Sequence, residues 1–462
     1  MPWPHVSLKI EHMSEDLQKR LQRLGIVRGT KNLKSLSTPD QLARRVDQTT
    51  GDESREPLEN GSEEQRLEKL IPNGQLLSNE LGAYFVVDQV YPVEYQHGDG
   101  SLADFTRAPL GSAADITGDE RLRGLGHHDF LLLDTETTGL PGAGTLVFMV
   151  GAAFFENDAL VVRQYFMRDH ADEPAMLQDL AGLLNSRQGI VTFNGRSFDL
   201  PLIENRYMLN RMEDQVSDLV HRPHLDLLHP SRRLWRRRLG SCALGSLEKN
   251  LLGITRTHED VPGWMIPGIY MDYLRTKDAR DIARVFYHNH IDMLSMVTLT
   301  SQVLDLFSTP TEKDHPLDLL SLARWKIATK DLQDAEKNLM LALDARKNHN
   351  VLREDGLAMR LDLGYLLRRT DRRDEAFLQW QRIAKIDADG PETPIVYNAY
   401  IELAKHYEWH QRDLKIARQW TIKAQYLVEQ MDPGLDRNKE AIIHRLARLD
   451  RKLGSRQDEA IE

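Results

Sequence analysis

FLLLDTETTG, at residues 130–139, is an apolar, strand-like run that ends in Asp-x-Glu before a turn glycine. Successive strand residues face opposite ways, so Asp134 and Glu136 place two carboxylates on the same face. Such a pair is costly to bury unless positive charge lies beside it. A hard divalent cation, Mg²⁺ or Mn²⁺, is the natural partner of oxygen ligands. The run therefore predicts a buried strand with a metal site at its end.

Two further motifs could complete an acidic cluster. Asp199 ends the motif NGRSFD, which follows the apolar run IVTF, and Asp292 ends YHNHID on a segment with helical periodicity. Each has an ordinary explanation when taken alone, because Asp199 can cap a helix that begins near Pro201 and Asp292 can be a solvated helix residue. The three motifs in this order favour one metal cluster. Its expected ligands are Asp134, Glu136, Asp199 and Asp292.

The spacing Asp-x-Glu, Asn-x-x-x-Asp and His-x-x-x-Asp resembles the DEDD (DnaQ-like) 3′–5′ exonuclease superfamily, which has an RNase H-like fold. Segments from HLDLL at 224–228 to DVPG at 260–263 look like a bacterial group of RNase H-like domain proteins, often followed by tetratricopeptide repeats. The resemblance covers residues 67–305 closely and the repeats more loosely. It implies an α/β RNase H-like fold, a mixed sheet flanked by helices, followed by an all-α helical-repeat domain.

Sequence patterns divide the chain into four parts. Residues 1–34 hold a short amphipathic helical segment, and residues 35–66 are polar and acidic, which is typical of a flexible linker. Residues 67–305 mix strand and helix patterns and form the expected RNase H-like exonuclease domain. Residues 316–456 are purely helical in pattern. We expect strands at 84–91, 130–134, 146–155, 159–166 and 190–193, and helices at 175–184 and 201–210.

A weak internal repeat marks the helical part. Ala335, Ala376 and Ala417 lie 41 residues apart in each case, and each begins a stretch with large residues at helical spacing. This indicates degenerate tetratricopeptide-like helix pairs, although the usual period is ~34 residues. An ordinary helical bundle is the alternative. Stacked helix pairs create a groove, which commonly binds a protein partner.

Composition sets the outer bounds. The chain has 462 residues, of which 41% are hydrophobic and 28% charged, and no apolar run approaches the ~20 residues of a membrane span. The N-terminus lacks the pattern of a signal peptide, and the single cysteine, Cys242, is expected to be a small core residue. These features favour a cytoplasmic protein. The net charge of −10 argues against a nucleic-acid coat protein but not against a nuclease.

A local basic patch lies at SRRLWRRR, residues 231–238. Arginines such as Arg232 and Arg233 can pair with phosphate, and Trp235 could stack on a base. The alternative is a solvated helix face with Leu234 and Trp235 pointing inward. The triplet HED at 258–260 precedes Pro-Gly, which favours a loop with a local cap over a metal site.

Phosphodiester hydrolysis suits the four carboxylates, because two cations about 4 Å apart can activate water and stabilise the leaving oxygen. Asp134 is expected to bridge them, with Glu136 and Asp199 on one ion and Asp292 closing the site. The superfamily places a His five residues, or a Tyr four residues, before its last Asp. Here Tyr287 is five before and His288 four before, so either could be the general base. We favour His288.

The main hypothesis is a Mg²⁺- or Mn²⁺-dependent 3′–5′ exonuclease acting on single-stranded DNA or RNA ends. Polarity and end preference come from the resemblance. One alternative is a catalytically silent nucleic-acid-binding or scaffold protein that works through its helical repeats, and another is a small-nucleotide phosphodiesterase. The expected substrate contacts are Thr137, Asn194, Phe198, Arg232 and Arg233.

Overall fold

The computed structural model describes residues 66–71, 73–139, 144–216, 218–386, 393–430 and 436–458. The expected N-terminal segment at 1–34 and all but the last residue of the expected linker at 35–66 lie outside this part of the chain. The described residues all fall within one compact unit.

A seven-stranded mixed sheet organises the first part of the described chain. Its strand order is β1-β2-β7-β6-β5-β8-β9; neighbours from β1 to β5 are antiparallel, whereas β5, β8 and β9 are parallel. Two short strands, β3 and β4, pair separately. The strands are β1 (Gly74–Asn79), β2 (Gly82–Pro92), β3 (Gln96–His97), β4 (Gly100–Ser101), β5 (Phe130–Thr137), β6 (Val147–Glu156), β7 (Ala159–Phe166), β8 (Gly189–Thr192) and β9 (His224–Asp226).

The central strand β5 is apolar on both faces because helices cover both sides of the sheet. Leu131 and Leu133 belong to one hydrophobic core, whereas Phe130 and Leu132 belong to the other. A strand buried on both faces has a continuous apolar sequence rather than an alternating one. The five expected strands are confirmed, but β5 extends past the acidic pair to Thr137 because these residues pair with β6. The exposed edge strand β1 was not expected from its sequence.

Helices flank the sheet and then continue alone. The 29-residue α9 contacts β5, β6 and β7, and it carries the YHNHID motif as expected. The helices are α1 (Leu67–Leu70), α2 (Leu102–Arg107), α3 (Ser112–Thr117), α4 (Glu173–Asn185), α5 (Asp199–Leu209), α6 (Leu228–Leu239), α7 (Leu244–Leu247), α8 (Ile266–Thr276), α9 (Arg280–Ser308), α10 (Pro316–Ala328), α11 (Leu332–Ala345), α12 (Arg353–Arg369), α13 (Arg373–Ala384), α14 (Thr393–Trp409), α15 (Leu414–Gln430) and α16 (Asp436–Asp458).

The helical part consists of paired helices. Successive helices α10 and α11, α12 and α13, and α14 and α15 contact each other across short connections. Three alanines, Ala335, Ala376 and Ala417, each lie in the second helix of a pair and are fully buried. The 41-residue spacing therefore corresponds to a small buried residue at a similar place in each pair. A mixed sheet flanked by helices and followed by an all-helical part confirms the expected fold class. Within the described ranges, no helix is long and apolar enough to cross a membrane.

The two parts share an interface through α6. Arg238 of α6 lies 2.8 Å from Asp318 of α10, and Arg237 pairs with Asp355 of α12. Arg233 lies over the ring of Trp325 in α10, with 4.8 Å to the ring centroid. The arginine run therefore serves partly as structure, because two of its members neutralise acidic residues of the helical part.

Candidate metal centre

The end of β5 and the middle of α9 bring three potential ligands together. One ligand atom from each of Glu136, His288 and Asp292 lies within 4.8 Å of the other two. Asp292 is only 8% exposed, so the reading of this residue as a solvated helix position is wrong. His288 Nε2 lies 3.4 Å from Asp292 Oδ2, as the four-residue spacing on one helix face allows.

Asp199 reaches β5 from the first turn of α5. The helix begins at Asp199, two residues earlier than expected, and the Asp199 carboxylate accepts a hydrogen bond from the Thr135 hydroxyl rather than capping its own helix. The tight turn before it depends on Gly195, because a Cβ there would lie 2.6 Å from the Thr192 side chain. Asn194 adopts a left-handed backbone conformation with φ of 70°. This turn places the second acidic motif, which carries Asp199, against the first.

Asp134 is held by Asn289, a residue for which the sequence analysis predicts no role. Asn289 of α9 is fully buried, and its Nδ2 donates to Asp134 Oδ2 at 3.0 Å. Its Oδ1 accepts from Gln164 Nε2 at 3.0 Å, and Gln164 also donates to the Phe286 carbonyl. Gly151 on β6 makes room for this amide, since a Cβ there would lie 2.4 Å from Asn289 Oδ1. The network fixes the orientation of the Asp134 carboxylate.

The pKa values of all four carboxylates in the cluster are raised. Burial, and then the charges of Asp292 and Asp199, raise the pKa of Asp134 well above its usual range. Burial, followed by the charges of Asp134, Asp292 and Asp199, does the same to the pKa of Glu136. Burial raises the pKa of Asp199 to about 6, and it raises the pKa of Asp292 as well. Buried carboxylates that repel one another form a donor set that fits a divalent cation.

An arginine enters the cluster from the loop before α8. Arg256 pairs with Asp292 and also forms a bidentate ion pair with the buried Glu248, at 2.6 and 2.7 Å. Glu248 begins a π-helical turn, Glu248–Leu252, of the kind often found at functional sites. The sequence offered no signal for this contact, since Arg256 lies 36 residues from Asp292. Arg256 supplies one internal positive charge to the acidic cluster.

His288 is oriented by a carboxylate from the loop before Pro262. Its Nδ1 lies 2.7 Å from Asp260 Oδ1 and 3.1 Å from Arg256 Nη1, and its Nε2 faces Asp292. The shorter contact suits a proton on Nδ1 that is donated to Asp260. The expected loop is present, but Asp260 contacts His288 instead of acting only as a local cap. The Tyr287 hydroxyl accepts from the Thr257 amide, and His290 contacts the Tyr91 hydroxyl. His290 does not belong to the group of close ligand atoms.

The residues expected to contact substrate differ in their exposure to solvent. Phe198 is exposed beside the Asp199 turn, and the Thr137 hydroxyl donates to the Gly139 carbonyl. Arg232 and Arg233 are exposed on α6. Trp235 is only 1% exposed, so the suggestion that it stacks on a base is wrong and the inward-facing alternative holds for Trp235 and Leu234. Cys242 is a buried core residue, as expected.

Comparisons with known proteins agree with this architecture. The family profile described as the RNase H superfamily matches residues 131–304. The uncharacterized protein YprB of Bacillus subtilis (strain 168) is 30% identical over 383 residues, which is 80% of this chain and 87% of YprB. The superfamily match spans β5 through most of α9 and includes all four acidic positions.

A solved structure also shows similarity to part of the chain. It is the family B DNA polymerase of the hyperthermophilic archaeon Pyrobaculum calidifontis, with 16% identity and a TM-score of 0.32. The match covers 47% of this chain, and it spans 29% of the polymerase. By the superfamily match, residues 131–304 form an RNase H superfamily domain, and by the similarity to YprB the chain as a whole belongs to the family of that Bacillus subtilis protein.

Proposed function

We propose that this protein is a divalent-metal-dependent 3′–5′ exonuclease of the DEDD type that hydrolyses single-stranded DNA or RNA ends. The observation that carries the proposal is the convergence of Glu136, His288 and Asp292 within 4.8 Å, with Asp134 and Asp199 beside them. RNase H superfamily proteins are generally nucleases, which supports phosphodiester hydrolysis. The 3′–5′ polarity rests on the motif spacing.

The four carboxylates would hold Mg²⁺ or Mn²⁺, with two ions expected from the sequence. When bound, these ions would neutralise phosphate charge and acidify the attacking water. The chain's own residues orient the reactants. Asn289 fixes the Asp134 carboxylate, and Thr135 fixes Asp199 through its hydroxyl. Pre-set ligand orientation lowers the cost of arranging the site during the reaction.

His288 would act as the general base. In the tautomer that donates Nδ1–H to Asp260, the lone pair on Nε2 can accept a proton from the attacking water. This arrangement also keeps the imidazole from rotating, because both ends of the ring have a carboxylate neighbour. Tyr287 is bonded to the Thr257 amide instead. The geometry therefore supports His288 over Tyr287 for the proton transfer.

The test is an end-labelled degradation assay. Purified protein is incubated with Mn²⁺ or Mg²⁺ and with 5′-labelled single-stranded DNA and RNA of mixed sequence. We expect a ladder that shortens from the 3′ end, is abolished by EDTA, and is absent for Asp199→Ala and His288→Ala. His290→Gln is the matched control, because His290 lies on the same helix but contacts Tyr91. This control should retain the ladder.

Arg256 favours one competing function. Its guanidinium forms an ion pair with Asp292 and so neutralises part of the negative charge that would hold a metal. This arrangement suits a metal-free, catalytically silent nucleic-acid-binding site. Isothermal titration with Mn²⁺ separates the two functions. Stoichiometric Mn²⁺ binding together with cleavage supports the nuclease, whereas oligonucleotide binding with neither metal binding nor cleavage contradicts it. Cleavage of dinucleotides but not of longer strands would instead indicate a small-nucleotide phosphodiesterase.

A further inference from the structure

A basic cavity lies where the sheet meets the helical part. It has a volume of about 510 Å³ and is bordered by the turn before Asp199, by α6 and by α10. Three arginines line it, together with two histidines and one carboxylate. The charged and titratable lining residues are Arg196, Arg232, Arg233, His224, His229 and Asp226. This local positive charge contrasts with the net charge of −10 for the whole chain.

The arginines of the cavity are available to a ligand. Within the described ranges, the Arg196 and Arg232 side chains form no hydrogen bond or ion pair, and both are exposed. Arg233 is held through its face by Trp325, which leaves the edge of the guanidinium with its N–H donors unused. By contrast, Arg237 and Arg238 of the same helix are bound to acidic residues of the helical part.

The one carboxylate of the cavity is already occupied by backbone donors. Asp226 is buried and accepts from the amides of Asn194, Arg196 and Leu228, at 2.8, 3.2 and 3.1 Å. Three hydrogen bonds to the carboxylate disperse its charge and fix the turn that carries Arg196. Asp226 therefore braces the cavity rather than cancelling its arginines.

His224 contributes a buried, neutral side chain to the cavity wall. It is 1% exposed, lines the cavity, and its Nε2 lies 2.9 Å from the Thr192 hydroxyl. Its Nδ1 is buried and has no hydrogen-bond partner in the described part of the chain. The direction of the Thr192–Nε2 hydrogen bond depends on the histidine tautomer, because the Thr192 oxygen accepts from the Gly195 amide and can still either donate to or accept from Nε2. Buried polar atoms without partners are rare.

We infer that this cavity binds backbone phosphates of the nucleic-acid strand whose end lies at the acidic cluster. The inference rests on the proposed function and extends it. Arg196 is three residues before Asp199, so the same turn that shapes the cavity also supplies the cluster. The arginine forks suit phosphate oxygens. Bases are disfavoured as the recognised group because Arg233 covers Trp325, the largest aromatic ring of the cavity wall.

A consequence is that the helical part shares in substrate binding. Trp325 belongs to α10, outside the RNase H superfamily match at 131–304, yet it positions Arg233. The strand would thus pass from the cluster, over the Asn194–Asp199 turn, to the seam between the two parts. Binding should depend on several phosphates and therefore on strand length.

Binding is tested without cleavage. Fluorescence anisotropy in EDTA measures the Kd of 20-nucleotide dT and rU strands for the wild type and for Arg196→Ala, Arg232→Ala and Arg233→Ala. Each single variant should weaken binding roughly tenfold, as expected for a lost charge-assisted hydrogen bond to phosphate. The triple variant should reduce the slope of log K against log salt by about 2, since each contact on a single strand contributes ~0.7.

Arg236→Ala is the matched control. Arg236 lies on the same helix and is exposed, but it does not line the cavity. Its substitution by alanine therefore removes the same charge from a different part of the surface. Its effect on Kd should be less than about threefold, because a distant surface charge acts only through screened electrostatics. A loss as large as that of Arg232→Ala would overturn the cavity assignment in favour of general attraction. Competition by thymidine monophosphate as strong as by the 20-mer would overturn strand binding in favour of a small phosphate compound.

The two proposals fail in different ways. Hydrolysis of a dT dinucleotide needs the cluster but supplies only one phosphodiester, so the arginine variants should slow 20-mer hydrolysis at low substrate by a larger factor than dinucleotide hydrolysis. If the wild type binds the 20-mer through these arginines but never cleaves it, the cavity assignment stands and the nuclease proposal is rejected. If the wild type cleaves the 20-mer and the arginine variants bind and cleave it equally well, the cavity assignment is rejected and the nuclease proposal stands.

Discussion

Asp260 Oδ1 lies 2.7 Å from His288 Nδ1, and this contact joins a loop to the middle of α9. The same imidazole turns Nε2 toward Asp292. A carboxylate behind a histidine fixes its tautomer and its ring orientation, and it stabilises the charge that appears when the ring takes a proton. Asp260 is therefore a positioning residue in the proposed reaction, one step removed from the acidic cluster.

Asp260→Asn should lower kcat for strand hydrolysis by about 10- to 100-fold, the usual cost of losing such a partner. The amide keeps the shape of the carboxylate but cannot stabilise a protonated imidazole. KM and Mn²⁺ affinity should stay near the wild-type values, because Asp260 lies behind His288. Glu259→Gln, the exposed neighbouring residue, is the control and should retain activity. Equal losses in the two variants would indicate a general effect of loop charge.

The amide of Asn289 provides a second test, directed at the metal site. Asn289→Ala removes the donor to Asp134 and should weaken Mn²⁺ binding by about 10- to 100-fold. It should also lower the free energy of unfolding by about 1–3 kcal/mol, since a buried network loses a member. Calorimetric titration with Mn²⁺ and thermal unfolding measure the two effects. His290→Gln, which disturbs the contact with Tyr91, should lower stability without changing Mn²⁺ affinity.

Gly151 should tolerate no side chain. In Gly151→Ala the new methyl group would lie 2.4 Å from Asn289 Oδ1, and Asn289 cannot shift freely because Gln164 and Asp134 hold it. Overpacking of this kind costs about 1–3 kcal/mol. We expect a lower Tm and a weaker Mn²⁺ affinity.

Gly182→Ala is the contrasting substitution. Gly182 is exposed on α4, and a Cβ there meets nothing within 4 Å. Alanine in a helix interior is favoured over glycine by up to about 1 kcal/mol, so this variant should be slightly stabilised. A Gly151→Ala protein as stable as Gly182→Ala would show that the Asn289 network can rearrange.

The sequence predicted the parts of the site that local pattern encodes. The apolar run before Asp134, the spacing that aligns Glu136 with it, and the helix of Asp292 all follow from periods of two and 3.6 residues. The helical pairs could be predicted because Ala335, Ala376 and Ala417 mark a repeated close contact. These patterns can be read from a single sequence because they arise from residues close together along the chain.

The missing parts of the prediction depend on tertiary contacts. Arg256 meets Asp292, and Asp260 meets His288, across turns that no periodicity specifies. Trp235 illustrates the converse case: the arginine run left open whether this residue is exposed or points inward, and the face of α6 that packs inward buries it. Charge density along the chain does not determine which residues of a helix face solvent.

The raised pKa of Asp199 gives a pH-dependent prediction for the metal-free protein. Burial raises this pKa to about 6 from an ordinary value of 3.8, so the folded state holds the proton more tightly than the unfolded chain. The resulting contribution to stability is present at low pH and is lost as pH rises through about 6. Asp199→Asn cannot ionise and escapes this loss, while its amide oxygen can still accept from Thr135.

In EDTA, the wild type should therefore lose stability relative to Asp199→Asn between pH 4 and pH 7. The change should be of the order of 3 kcal/mol, since each pKa unit corresponds to about 1.4 kcal/mol. Added Mn²⁺ should reverse the trend for the wild type alone, because metal ligands must be deprotonated and affinity then rises with pH. Tm values for both proteins at each pH, with EDTA and with Mn²⁺, provide the measurement. A stability difference that stays constant across this range would mean that Asp199 ionises as freely in the folded protein as in the unfolded chain, and the cluster would then lack the charge strain that favours a metal.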